Sequence, residues 1–574
     1  MGVLSDLEPK SVFNYFEEIT RIPHGSGNVG QISDYLVNFA RERNLFCIQD
    51  EWKNVIIVKE ATPGYEKEPA VILQGHMDMV AVKKPDCDID MKTEGLRVAV
   101  DGDAIYAEGT SLGGDDGIAV AYSLALLDSD TIRHPKLEVI ITVDEEVGMD
   151  GARAIDLSML TGNRMINLDS EDEGIFLTSC AGGARVKCRL PLSVEQCEGI
   201  VYKVTVGGLL GGHSGGEIHK ERGNSNCLFG RLLKKVSDRI PVRLCEVRGG
   251  LADNAIPRET MALLVVEEKD RAAFTQTLLE TEKEIKGELI TKDPDFYIKA
   301  ETVGEKEQSC GNIAGTEILS SGNSGERKLH WCVSAADTKK AADFLVALPG
   351  GVQAMSADMP GLVETSLNLG ILEFHAEEKQ FSSDGSVSGN TCGHWVLPDE
   401  PALGNAEEHR SLSGESAPGN AGEHRSLSDE SAPGNAGQEM ILLAEFSVRS
   451  SVESAKYALI DKLYAVTELA GGGNEVTGDY PGWAYRKDSP LRDKMVSLYE
   501  KMYGVTPKVE TIHAGLECGI LGSKIQDLDC VSIGPQMTAI HTTEETLSIS
   551  STRRVWEYLV ALLEQKDNCS AADT

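Results

Sequence analysis

The 574-residue sequence has little positive charge: 55 lysines and arginines stand against 91 aspartates and glutamates, a formal net charge of −36. A surface of that sign repels phosphate backbones and anionic lipid headgroups, which argues against nucleic acid and membranes as partners. The cysteines number thirteen, and none stands in a Cys-x-x-Cys pair. An odd count without such pairs argues against a disulfide framework and a thiolate zinc site; most of these cysteines lie in apolar segments, where the thiol acts as a small hydrophobe. No apolar run approaches the length of a membrane span, and Met1–Glu8 lacks the basic start and apolar stretch of a signal peptide, so a cytoplasmic location is expected. The glycine-rich stretches carry acids or histidine where a phosphate cradle needs lysine and bare backbone, which argues against nucleotide binding.

What remains is a chain of ordinary apolar content, 41%, too long for one core and long enough for two or three domains that need no staples. Residues 1–185 alternate helical patterns, such as Lys10 to Glu42, with short apolar strands. That alternation predicts an α/β fold, a mostly parallel sheet covered by helices on both faces. From 186 to 475 the pattern changes to strands and amphipathic stretches (Cys227–Ser237, Ala272–Lys286, Lys339–Leu348, Val452–Leu469), consistent with an inserted α+β domain. Residues 476–574 return to the first style and close on a helix at Ser551–Gln565. Within the insertion, Glu407–Ala421 is repeated almost unchanged as Gly422–Ala436. A short period rich in Ser, Gly, Pro and Glu cannot bury a core, and residues 376–438 are expected to be a disordered loop between strand-like Glu364–Phe374 and Met440–Val448. His409 and His424 in these repeats invite a metal reading, but one histidine per repeat is inert more often than not.

The chemistry is carried by polar residues that follow apolar, strand-like runs. Ala70–Leu73 leads to Gln74-Gly75-His76-Met77-Asp78; Leu137–Ile141 leads to Asp144-Glu145-Glu146; Met165–Leu168 leads to Asp169; Cys530–Ile533 leads on to His541; and Asp115-Asp116 lies between glycines. Each cluster alone is unremarkable: an acidic turn, a solvated loop, a satisfied pair at a strand end. Together they supply two histidines and several carboxylates at the sheet edge where ligands bind in open parallel sheets. Mixed nitrogen and oxygen donors suit Zn²⁺, Co²⁺ or Mn²⁺, and a bridging carboxylate would hold two such ions roughly 3.5–4 Å apart. Of the doubled Glu145-Glu146, one can face a metal and the other an attacking water. Asp78, two residues beyond His76 on the same side of an extended segment, can hold the imidazole's other N–H.

In that order of residues the chain resembles the M20 metallopeptidases, and within them the aminoacyl-histidine dipeptidase (peptidase D, cytosol non-specific dipeptidase) branch. The resemblance includes Ile22–Asn28, Gly109–Asp115, Gly211–Gly216, Asn254–Glu259 and Glu364–Gly370, and covers nearly the whole chain outside residues 376–438. It implies a zinc-peptidase-like catalytic domain (1–185 and 476–574) and a lid domain (186–475). It implies two divalent ions, zinc first, with cobalt or manganese as alternatives. Asp115 would bridge them, His76 and Asp169 completing one and Glu146 and His541 the other. It further implies that Glu145 is the general base and Asp78 orients His76, that a hydroxide bridging the ions attacks an unblocked dipeptide such as β-Ala-His, and that His213, Arg449 and Glu517 contact substrate. A buried structural role for Glu517 is an equal alternative. Asn254 and Arg258 match a lid motif, and the Asp115–Asp116 peptide is expected to be cis; many relatives have Asn where this chain has Asp116. A homodimer is left open. The competing readings are an acylamino-acid deacylase with the same metal chemistry and, behind it, a non-catalytic binding protein.

Overall fold

The computed structural model describes residues 2–303, 329–357, 359–376 and 440–567; the repeats, and all of the expected 376–438 loop beyond Ala376, lie outside them. Two large sheets organise the chain. The first runs, edge to edge, Phe46–Gln49, Val55–Lys59, Leu137–Thr142, Val71–His76, Arg164–Asn167, Asp529–Ser532, Ile175–Cys180, Lys508–Ile512. Its four central strands are parallel. Their residues are buried on both faces: Val71 and Leu73 pack with Phe13, Phe16 and Tyr122 on one side, while Ile72 packs with Ile140, Met165 and Trp483 on the other. Burial on both sides is why these strands read as continuous apolar runs.

The sheet is not parallel throughout. Phe46–Gln49 and Val55–Lys59 form an antiparallel hairpin on one edge, closed at Asp50–Asn54 with Lys53 at φ 79°. The single helical pattern from Lys10 to Glu42 is two helices, Lys10–Thr20 and Gly30–Glu42. The intervening Ile22-Pro23-His24-Gly25 segment runs beside Met79, where the Met79 N–H donates to the His24 carbonyl at 3.1 Å.

The second sheet is antiparallel: Tyr297–Thr302, Ile200–Gly207, Thr260–Val266, Val242–Gly249, Val363–Ala376, Met440–Ser450, Gly182–Leu192, Gly473–Tyr480, with Gly351–Met355 added beside Val363–Ala376. Helices Ser225–Arg239, Arg271–Leu289, Ala335–Ala347 and Glu453–Leu469 cover one face and share a core with it. Strand alternation sets the other face: Phe446 and Val448 point into that core, while Ser447 and Arg449 line a cleft against the first sheet. This is the polar-out, apolar-in pattern of a sheet covered on one side only. A small four-stranded sheet pairs Met537–Thr538, Thr546–Ser548, Ala104–Ala107 and Val98–Asp101, and His541 lies in the hairpin loop between its first two strands.

Candidate metal centre

The parallel strands end in line, so the residues that follow them converge. His76 is the last residue of its strand; Glu145 and Glu146 open the short helix after Leu137–Thr142; Asp169 follows Arg164–Asn167. Asp115 sits where Gly113, at φ +69°, turns the chain into the Gly114–Asp128 helix, and the Asp115–Asp116 peptide is cis. The two oxygens of Asp115 face different histidines: Oδ1 is 3.1 Å from His76 Nε2, and Oδ2 is 3.2 Å from His541 Nε2. His76 Nε2 also lies 3.7 Å from Asp169 Oδ1, and His541 Nε2 lies 2.9 Å from Glu146 Oε1.

Carboxylates outnumber imidazoles here, and the ionisation reflects it. Although burial opposes the charged form, Asp115, Asp169 and Asp78 raise the His76 imidazole well above its ordinary value. Asp115 and Glu146 lift that of His541 to about 10. Burial, with neighbouring carboxylates adding to it, pushes Asp169 up to about 6 and Glu145 well above the usual range. Acids crowded this way demand positive charge. Three sets of ligand atoms lie within 4.8 Å of one another: His76, Asp116 and Asp169; His76, Glu145 and Glu146; Asp115, Glu146 and His541. The donors therefore fit divalent ions of the zinc type.

The surrounding contacts hold this arrangement. His76 Nδ1 lies 2.9 Å from the Asp78 backbone carbonyl and 3.4 Å from its Oδ1. The Asp78 carboxylate in turn accepts from Ser26 Oγ at 2.8 Å and from the Glu145 N–H at 3.1 Å, so it braces both His76 and the Glu145 turn. Asp144 and Met149, on either side of the Glu145–Gly148 helix, adopt positive φ without being glycine, 54° and 59°. Such backbone persists where the surroundings impose it; here Asp144 Oδ1 accepts from the Gly27 N–H at 2.6 Å.

Above the acids lies a cleft of about 460 Å³, lined by Glu145, Glu146, His213, Asn254, Arg449 and Tyr480 among others. His213 lines the same cleft as Glu145 and Glu146. Its Nδ1 is within 3.3 and 3.0 Å of the Gly215 and Gly216 N–H groups. Accepting from them leaves the proton on Nε2, and partial desolvation of the ring, although the residue as a whole is exposed, lowers its pKa together with Arg449 nearby, which favours the neutral ring. Arg449 donates to Tyr480 Oη at 3.2 Å, while among the described residues its Nε has no partner. Arg258 is not among the lining residues.

Glu517 stands elsewhere. It is 0% exposed, beneath the floor of the cleft, where Oε2 accepts from Gln74 Nε2 at 2.6 Å and Thr142 Oγ1 at 2.5 Å. Burial pushes its carboxyl up to about 8. Substrate contact needs access from the cleft, which this position lacks; of the two readings left open for Glu517, the buried one has the structural support. Sequence reasoning attached no role to Ser26 or Glu545. Ser26 lies within the quoted Ile22–Asn28 motif, and Glu545 is the second of a doubled glutamate shortly after His541, which reads as surface.

The sequence matches peptidase family M20/M25/M40 over residues 72–565, and the chain belongs to that family. It is accordingly a metallopeptidase, with candidate metal-binding groups at the strand ends. It is 32% identical over 568 residues to the cytosol non-specific dipeptidase of Escherichia coli (strain K12), spanning 98% of this chain and 99% of that protein. Aminoacylhistidine dipeptidase from Vibrio alginolyticus has a similar structure, with 30% identity and a TM-score of 0.78 over 99% of both chains. Aminopeptidase PepT from Bacillus cereus ATCC 10987 shares the fold, with 15% identity and a TM-score of 0.52 over 97% of this chain and 98% of that one.

Proposed function

We propose that this protein is a cytoplasmic dipeptidase that hydrolyses unblocked dipeptides, Xaa-His peptides among them. In this reading His76, Asp115 and Asp169 hold one divalent ion and Asp115, Glu146 and His541 the other, zinc being the first choice. The observation that carries it is the division of the Asp115 oxygens between two histidines, each with a further carboxylate beside it. The two relatives with identities of 30% or more, both dipeptidases by name, support the substrate class. The first sheet with its helices acts as the catalytic domain and the second as the lid; because strands Gly182–Leu192 and Gly473–Tyr480 lie wholly in the second sheet, the lid begins a few residues before the expected 186 and ends a few after the expected 475.

Two ions bound there would polarise the scissile carbonyl and make a water acidic enough to attack. Glu145, which lines the cleft beside the ligand Glu146, takes the water's proton and hands it to the departing amine nitrogen. Asp78 keeps His76 and the Glu145 turn in register. From the opposite wall the neutral His213, with Nε2–H free to donate, stabilises the negative charge that develops on the carbonyl oxygen. Arg449 offers a planar two-pronged donor to the substrate's terminal carboxylate.

The test is turnover by chelator-stripped protein restored with Zn²⁺, Co²⁺ or Mn²⁺, on free dipeptides, N-acetyl dipeptides and N-acetyl amino acids. Free dipeptides are expected to turn over, and Glu145→Gln to lose at least about 10³-fold in kcat with its ions still bound. Turnover of N-acetyl amino acids but not of dipeptides would transfer the protein to the acylamino-acid deacylases. Full activity in Glu145→Gln would remove that residue from the chemistry.

A further inference from the structure

Glu545 has no part in the reaction as drawn, yet its carboxylate is fully engaged beside it. The residue is 3% exposed and lies four positions beyond His541. Its Oε2 accepts from the Leu112 and Gly113 N–H groups at 2.8 and 3.1 Å, and its Oε1 from those of Gly114 and Asp115 at 2.8 and 3.4 Å. These are four consecutive backbone donors, ending on the residue whose carboxylate faces both histidines. The glycines make the approach feasible: Gly113 turns the chain at φ +69°, and a Cβ at Gly114 would stand only 3.3 Å from Glu545 Oε1. With both oxygens committed to N–H groups, Glu545 is not itself a metal ligand. Its neighbour Glu544 points the other way, to Lys84 at 2.6 Å, with most of its side chain in solvent.

The hairpin loop that carries His541 has reason to need such an anchor. Ala539 and His541 both adopt left-handed backbone, φ 52° and 61°. Residues with a Cβ hold that conformation only where other contacts impose it. The Glu545 carboxylate fastens the far end of this loop to the Leu112–Asp115 loop, across more than 400 residues of sequence.

We propose that Glu545 is a positioning residue of the metal centre: it clamps the loop bearing His541 to the loop bearing Asp115 and so sets the distance between those two ligands. This rests on the two-ion reading above. Asparagine or glutamine cannot do the same, because an amide has one acceptor oxygen and presents an NH₂ to the remaining donors; aspartate keeps the charge but has a shorter reach.

The experiment titrates Zn²⁺ into chelator-stripped wild type, Glu545→Gln, Glu545→Asp and Glu544→Gln by calorimetry and chelator competition, with thermal melts of each metal-free protein. Wild type and Glu544→Gln are expected to take up two ions alike. Glu545→Gln is expected to stay folded with a lower metal-free melt, because buried N–H groups lose their acceptor, and in addition to bind at least one ion about 10–100-fold more weakly, the usual effect of losing a group that orients a ligand. Equal affinities in all variants, or a lower metal-free melt with unchanged affinity, would mark Glu545 as purely structural and overturn the proposal. If Glu545→Gln does not fold, Glu545→Asp decides by the same criterion, and the proposal falls if neither folds. Failure of the wild type to bind two ions would sink the two-ion reading itself, a separate outcome.

Discussion

The two walls of the cleft are built differently. In the lower wall the groups that brace the acids are themselves held: His76 by Asp78, Asp78 by Ser26 and the Glu145 N–H, Asp144 by the Gly27 N–H. In the upper wall His213 and Asn254 are exposed, and Arg449, though buried, has among the described residues a side-chain hydrogen bond to Tyr480 and no partner for its Nε. A lattice of short mutual contacts fixes atoms for a reaction. Loosely partnered donors can instead adjust to the ligand that enters the cleft. Substitutions below should therefore cost kcat and metal binding, and substitutions above should cost substrate binding.

His213 is the residue most able to break that division, since it is on the upper wall but is assigned to the developing charge. His213→Ala is expected to lower kcat about 10²–10³-fold, the usual effect of removing one donor to an oxyanion, with KM changed little. Steady-state kinetics on one good dipeptide measures this. A rise in KM with unchanged kcat would return His213 to the binding wall and leave the oxyanion without a donor from the lid.

Arg449 tests the division from the other side. Arg449→Lys keeps the charge but loses the planar fork. It should raise KM for dipeptides about 30-fold, or about 2 kcal/mol, within the range of hydrogen bonds to charged groups. Dipeptide amides, which lack the terminal carboxylate, should respond to the substitution far less. Equal losses on acids and amides would mean that Arg449 supports Tyr480 and the wall instead of gripping substrate.

The lower wall was the more legible of the two in sequence. Histidine and acids placed directly after runs such as Val71–Leu73 and Leu137–Ile141 mark where parallel strands end, and buried strands carry their own signature. The contacts that hold those residues left less trace. Glu545 is bound by backbone N–H groups, which every residue but proline carries, so nothing in the sequence singles out its partners. Ser26 reaches Asp78 across 52 residues. Glu517 sits in a glycine-containing loop motif that leaves substrate contact and burial equally open, and the choice between them is made only once Gln74 and Thr142 are seen to meet it. The antiparallel edge hairpin was lost for a similar reason, because a strand's direction is a property of its pairing and not of its residues.

His513 lies on the seam between the walls and sharpens the comparison through pH. Its Nε2 is 2.8 Å from Ser366 Oγ in the antiparallel sheet, while its chain position is just past the Lys508–Ile512 edge strand of the first. Burial, with Arg449 adding to it, lowers its pKa from 6.5 to about 4. The unfolded chain therefore takes up the proton first. Between pH 6.5 and 4 it binds more protons than the folded protein does, so stability falls as pH falls through that window, and above it the group contributes nothing to the slope. At pH 5.5 the loss from this one group is about 1.4 kcal/mol. Chemical unfolding of metal-free wild type and His513→Gln at pH 7.5 and 5.5 should show the variant losing that much less on acidification. Identical losses would mean that His513 titrates normally, and that the seam is held by the apolar contacts around it instead of by a neutral imidazole.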